Sequence, residues 1–105
     1  MNLRVQFHGM PHSAKLQTEC QGLADALIDE FPEVLRCEVT LGVDAGEHQT
    51  HVHVTGKEID YSAHARSEEN IFPSITDAFE KARRQLRKHH DKMTLGRRRR
   101  TPREA

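Results

Sequence analysis

Residues 2–8 alternate strictly. Leu3, Val5 and Phe7 fall on one side of an extended chain and Asn2, Arg4, Gln6 and His8 on the other, the period of two that predicts a half-buried strand. Gly9, Pro11 and Ser13 break the pattern, with Ser13 placed to cap a helix. From Leu16 the period lengthens: Leu16, Cys20, Leu23, Ala24, Leu27, Ile28 and Phe31 form one helical stripe. Pro32 stops it, because the residue before a proline is driven out of the helical region. Cys37, Val39, Leu41 and Val43 then alternate with Glu38, Thr40 and Gly42, and Asp44-Ala45-Gly46 signals a turn. Val52 and Val54 alternate with His51, His53 and Thr55; after a second turn at Gly56-Lys57, Ile59, Tyr61, Ala63 and Ala65 complete another run of period two. A last helix is predicted from about Ile71 to Met93, capped by Asn70, with Ile71, Ile75, Ala78, Phe79, Ala82, Leu86 and Met93 as its stripe.

The order β-α-β-β-β-α predicts an α+β fold, a four-stranded sheet with two helices packed on one face. The first helix is the crossover between two parallel neighbouring strands, and the remaining strands follow as antiparallel hairpins. A length of 105 residues supports one domain with a modest core. Apolar residues make up 35% and charged ones 30%, a lean composition that the periodicity nonetheless marks as folded. Residues 1–93 are expected to form the domain. Residues 94–105, with one Leu, one Gly, one Pro and five arginines, are expected to be a disordered basic tail.

No apolar run reaches membrane-spanning length, and none follows a basic N-terminus as in a signal peptide. Two cysteines, Cys20 and Cys37, are too few for a secreted disulfide scaffold, so a cytoplasmic protein with reduced thiols is expected. Both cysteines sit at inward positions and read as small buried hydrophobes, not as nucleophiles. No enzyme, cofactor or small-molecule substrate is expected. His48, His51, His53 and His64 invite a metal reading, with Glu58 or Asp60 as a further ligand, but their spacing matches no zinc pattern and no cysteine joins them. Solvent-facing histidines on an open sheet are expected instead.

Charge changes the picture most. The formal net charge is zero, yet residues 1–80 carry five basic side chains against fourteen acidic ones, a net of −9, and residues 81–105 carry eleven against two, a net of +9. On a helical wheel Lys81, Arg84, Lys88 and Lys92 share one ridge while Arg83 and Arg87 lie on the other flank. Like charges at this spacing repel by a few tenths of a kcal/mol per pair, and the helix dipole rewards cations only in the last turn. Arginine forks and lysine point charges on a rigid rod suit a nucleic-acid backbone, with Arg97, Arg98, Arg99, Arg100 and Arg103 extending the run. The four Phe and Tyr61 sit at apolar positions, so no stacking platform is on offer and structured RNA fits better than unpaired bases. The candidate RNA-binding residues are therefore Lys81, Arg83, Arg84, Arg87, Lys88, Lys92 and Arg97 to Arg100. Two alternatives stand beside this: a general structured-RNA module, and a protein-interaction regulator using the acidic outer face of the first helix (Asp25, Asp29, Glu30).

The run from Glu80 to Met93 (EKARRQLRKHHDKM) resembles the second helix of ribosome hibernation-promoting factors, also called ribosome-associated inhibitors or sigma-54 modulation proteins. His53-Val54-Thr55-Gly56-Lys57-Glu58-Ile59 is similar to that family's third-strand turn, and Ile75-Thr76-Asp77-Ala78 to the start of its last helix. The resemblance covers roughly residues 2–93 and implies a non-catalytic factor of the short form. It implies docking on ribosomal RNA of the small ribosomal subunit, in the channel of messenger and transfer RNA, where such a factor silences idle ribosomes. It also implies that Lys81, Arg84, Arg87, Lys88 and Lys92 contact RNA, and that the protein is monomeric off the ribosome. The acidic first helix, where the family usually offers basic residues, and the arginine-rich end set this chain apart.

If the arginine-rich end meets phosphate, deleting residues 94–105 should flatten the plot of log binding constant against log salt by about 0.7–0.9 for each phosphate that is no longer neutralised. An unchanged slope in an RNA-binding titration would make the segment a bystander.

Overall fold

Ser13 begins the first helix: its Oγ accepts from the Leu16 N–H at 3.2 Å, satisfying one of the free amides of the first turn. The helix ends at Phe31, whose N–H closes on Leu27 O at 2.8 Å just before Pro32. Asn70 caps the second helix through Oδ1, which accepts from the Phe72 N–H at 2.9 Å. In the computed structural model, which describes the backbone of residues 2–99 and the side chains of residues 3–91, the elements are β1 (Asn2–His8), α1 (Ala14–Glu30), β2 (Val34–Asp44), β3 (Glu47–Gly56), β4 (Ile59–Ser67) and α2 (Ile71–Arg99).

The strands form one four-stranded sheet in the order β1-β2-β3-β4. β1 lies parallel to β2, with Leu3 beside Cys37 and Phe7 beside Leu41; β2–β3 and β3–β4 are antiparallel. Register carries the apolar set straight across the sheet: Leu3, Cys37, Val54 and Tyr61 form one row, and Val5, Val39, Val52 and Ala63 the next. α1 covers β1 and β2, and α2 covers β3 and β4, both on this face. Leu16, Cys20, Ala24 and Leu27 of α1 and Ile71, Ile75, Ala78, Phe79, Ala82 and Leu86 of α2 are buried against it. The α+β architecture expected from the periodicity is the one observed.

Three details differ from the sequence reading. β3 starts earlier, at Glu47, so its inward row includes Thr50, which is fully buried beneath Ser74 of α2. The Ser74 hydroxyl donates to Ile71 O at 2.7 Å. That leaves Thr50 to donate to Ser74 Oγ at 2.8 Å, so both buried hydroxyls are satisfied. The second hairpin turn is Lys57-Glu58, with Glu58 at φ 62°, and Gly56 is the last residue of β3. Gly56 is needed for space: a Cβ there would overlap the Glu33 carbonyl oxygen. The first hairpin turns at Ala45 (φ 52°) and Gly46 (φ 79°), the left-handed pair that matches strand twist. Finally, α2 runs on to Arg99, past the Met93 at which the apolar stripe ends. The side chains of Lys92, Met93 and Arg97 to Arg99, and Arg100 with the residues after it, lie outside the described residues.

Two glycine substitutions separate space from flexibility. Gly56→Ala should cost about 1–3 kcal/mol through overpacking. Gly22→Ala, on the exposed face of α1 with no atom within 4 Å of the new methyl, should stabilise by about 0.5–1 kcal/mol. Urea midpoints of the two variants should move in opposite directions.

Candidate nucleic-acid interface

With the apolar stripe of α2 seated on β3 and β4, the period of 3.6 decides where each cation points. One flank faces α1 and the other overhangs the outer edge of β4. Lys81 lies on the β4 flank, and its Nζ donates to His64 O at 2.9 Å. Gln85, one turn on, donates from Nε2 to Ser62 O at 3.0 Å. These two long side chains cover carbonyls of an edge strand that would otherwise invite another strand to pair. Farther along, Tyr61 Oη and His89 Nδ1 share a hydrogen bond of 2.8 Å. Arg84 projects above this flank with its side chain 74% exposed, its nearest carboxylate being Glu80 at 3.6 Å. Lys88 is exposed on the same ridge.

The α1 flank is different. Glu30, the last residue of α1, accepts from Arg83 Nε at 2.7 Å and Arg83 Nη2 at 3.3 Å, and from Arg87 Nη2 at 2.6 Å. Hydrogen bonds from Arg83 and then Arg87 hold the Glu30 carboxyl below the ordinary carboxylate range, and the same carboxylate raises Arg83. Of the candidate RNA-binding residues with described side chains, the fold thus groups Lys81, Arg84 and Lys88 on one ridge and ties Arg83 and Arg87 to α1. Lys92 and Arg97 to Arg100 are not grouped in this way, their side chains being outside the described set.

In the sequence Glu30 stands only as part of an acidic face. One signal points elsewhere. A carboxylate in the last turn of a helix opposes the helix dipole, and α1 has no basic residue in its last turn to offset it. Such a residue needs a partner from outside its own helix.

The other constellations resolve simply. His51, His53 and His64 lie on the open face of the sheet, whereas His48 lies on the helix-covered side with its Nδ1 buried and unpartnered, so the four do not converge. His53 instead sits between Asp60 at 2.6 Å and Glu38 at 3.7 Å. Among the described residues no three His, Cys, Asp or Glu side chains are arranged to hold a metal. Burial pushes the Cys20 thiol up to about 11, with Glu19 adding to it. It pushes Cys37 up to about 12, with Cys20 and Glu38 adding less. Neither is an accessible thiolate. Among the described residues no helix is long and apolar enough to cross a membrane.

Residues 3–94 match the family of Sigma 54 modulation protein / S30EA ribosomal protein. The chain belongs to this family. The S30EA fold is also seen in solved structures similar to it. A ribosomal subunit interface protein from Coxiella burnetii superposes with a TM-score of 0.71 at 15% identity, over 87% of this chain and 99% of that one. The N-terminal domain of Thermus thermophilus Protein Y gives 0.75 at 13% identity, over 85% and 99%. No curated protein matches the sequence. S30EA membership associates the protein with the ribosome. At these identities the two structures speak for the fold alone, so the roles of Glu30, Arg83 and Arg84 rest on the geometry of this chain.

The Glu30 hydrogen bonds carry a pH signature. A carboxyl whose pKa is depressed on folding adds stability above its unfolded pKa and loses it as pH falls through the folded value. Glu30→Gln should therefore lower the melting temperature at neutral pH, and the gap to the parent protein should close progressively as the pH falls below the ordinary carboxylate range.

Proposed function

We propose that this protein is a non-catalytic, cytoplasmic factor that silences translation under stress or in stationary phase by occupying the transfer-RNA and messenger channel of the small ribosomal subunit. It binds as a monomer, without a cofactor, and blocks by filling space. The observation that carries the reading is the basic ridge of α2, where Arg84 and Lys88 stand exposed beside Lys81 on an S30EA-family fold. The names of the similar structures, a ribosomal subunit interface protein and Protein Y, support the same direction.

Physically, a rigid helix is a good phosphate reader. Lys81, Arg84 and Lys88 span about 10 Å of helix at 1.5 Å per residue, and each cation that neutralises a phosphate releases condensed counterions. Lys92 and the arginines Arg97 to Arg100 follow in sequence and add to the same field. The acidic body opposes indiscriminate adhesion to RNA, since only one side of the molecule rewards approach.

Charge reversal tests this. Arg84→Glu with Lys88→Glu alters two exposed positions, so the circular dichroism spectrum should stay that of the parent. Cosedimentation with small subunits through a sucrose cushion should be lost, while the parent protein pellets with them. Retention of the reversed variant would exclude α2 as the binding element. Equal binding of the parent to unrelated structured RNA and to subunits would favour a general RNA module instead.

A further inference from the structure

The arginine-rich helix has two unequal sides, and Glu30 makes them so. We propose that Glu30 determines which side of α2 meets RNA: it withholds Arg83 and Arg87 from phosphate and leaves Lys81, Arg84 and Lys88, on the β4 flank, as the binding ridge. This rests on the reading that α2 contacts RNA phosphate and adds the orientation of that contact, with α1 turned away from the RNA.

The geometry separates the two sets of cations sharply. Arg83 commits its Nε and Nη2 to Glu30 at 2.7 and 3.3 Å, and that fork is the edge with which arginine grips a phosphate in two places. Arg87 gives Nη2 to the same carboxylate at 2.6 Å. A phosphate arriving here would have to break short charge-assisted hydrogen bonds and then sit beside a displaced carboxylate. Arg83 also has the Glu80 carboxylate at 3.7 Å, so the two guanidinium groups of this flank face two carboxylates.

The ridge of Lys81, Arg84 and Lys88 has fewer obstacles, and the Glu80 carboxylate beside Arg84 is shared with Arg83. The Arg84–Glu80 separation of 3.6 Å is longer than a hydrogen bond, and the guanidinium is mostly in water, so a phosphate displaces little. Lys81 is held by a backbone carbonyl, which positions its ammonium without cancelling its charge. Lys88 forms no ion pair with a described acidic residue. By the helical period Lys81 and Lys88 lie about 100° or more around α2 from Arg83 and Arg87, with Arg84 at the outermost point between the two sets. The carboxylate that closes α1 onto α2 is therefore also the element that makes the helix one-sided toward an anion.

A substitution cycle on the full chain tests this, reading the slope of log binding constant against log potassium chloride for small subunits. With Glu30 present, Arg83→Gln with Arg87→Gln should leave the slope nearly unchanged, whereas Arg84→Gln with Lys88→Gln should flatten it by about 1.4–1.8. Glu30→Gln should steepen the slope by up to the same amount as the freed arginines find phosphate. Adding Arg83→Gln and Arg87→Gln to Glu30→Gln should remove that gain, so the arginines count only once Glu30 is gone. Equal flattening by the two pairs with Glu30 in place overturns the orientation while leaving RNA binding by α2 standing. No flattening by Arg84→Gln with Lys88→Gln overturns both. Should the Arg83/Arg87 variant fail to fold, Glu30→Gln decides alone, since an unchanged or flatter slope rules the proposal out.

Discussion

A four-stranded sheet with one apolar face must be covered on that face, and the rest of this molecule follows from how the cover is fitted. α1 supplies a stripe for β1 and β2, and α2 a second for β3 and β4. The buried row of Cys37, Val39, Leu41, Val52 and Val54 lies beneath both helices, and burying such side chains contributes roughly 1.5–3 kcal/mol for each large one. Once Ile75, Ala82 and Leu86 are pressed onto the sheet, α2 can no longer rotate about its axis. Every polar side chain on that helix then has an assigned direction: toward α1, toward solvent or over the edge of β4.

This seating turns a charge-rich sequence into an ordered surface. The total charge of zero is a sum over two blocks of opposite sign, and beyond a Debye length of about 8–10 Å such blocks act separately. Where the blocks meet, Glu30 joins them through Arg83 and Arg87. Exposed ion pairs usually stabilise little, and the importance of this one lies in what it removes from the surface. It engages Arg83 and Arg87 and makes no contact with Lys81, Arg84 or Lys88.

The same helix protects an edge. β4 is the terminal strand, and Lys81 and Gln85 donate to His64 O and Ser62 O along it. Lys81 is thus positioned by the sheet for display above it, with the β4 backbone acting as its anchor. Packing, edge protection and the display of positive charge share a few residues on two turns of one helix, so substitutions there should be judged on more than charge.

The sequence by itself determined the element order, the inward residues and the two charge blocks, because each is written in local periodicity and composition: two for strands, 3.6 for helices. Ser13, Pro32 and Asn70 mark helix ends through chemistry confined to a few neighbouring residues. The family resemblance is legible in the same local runs. Only the tertiary structure decided which cations are committed and which are displayed. Glu30 lies more than fifty residues from Arg83 and Arg87, and nothing in local spacing measures a distance across two helices. Gly56 looks like a turn residue in the sequence because glycine commonly is one; its true reason is the Glu33 backbone pressed against it. Both outcomes have one cause: periodicity tells which face of an element is buried, and only packing tells what lies against it.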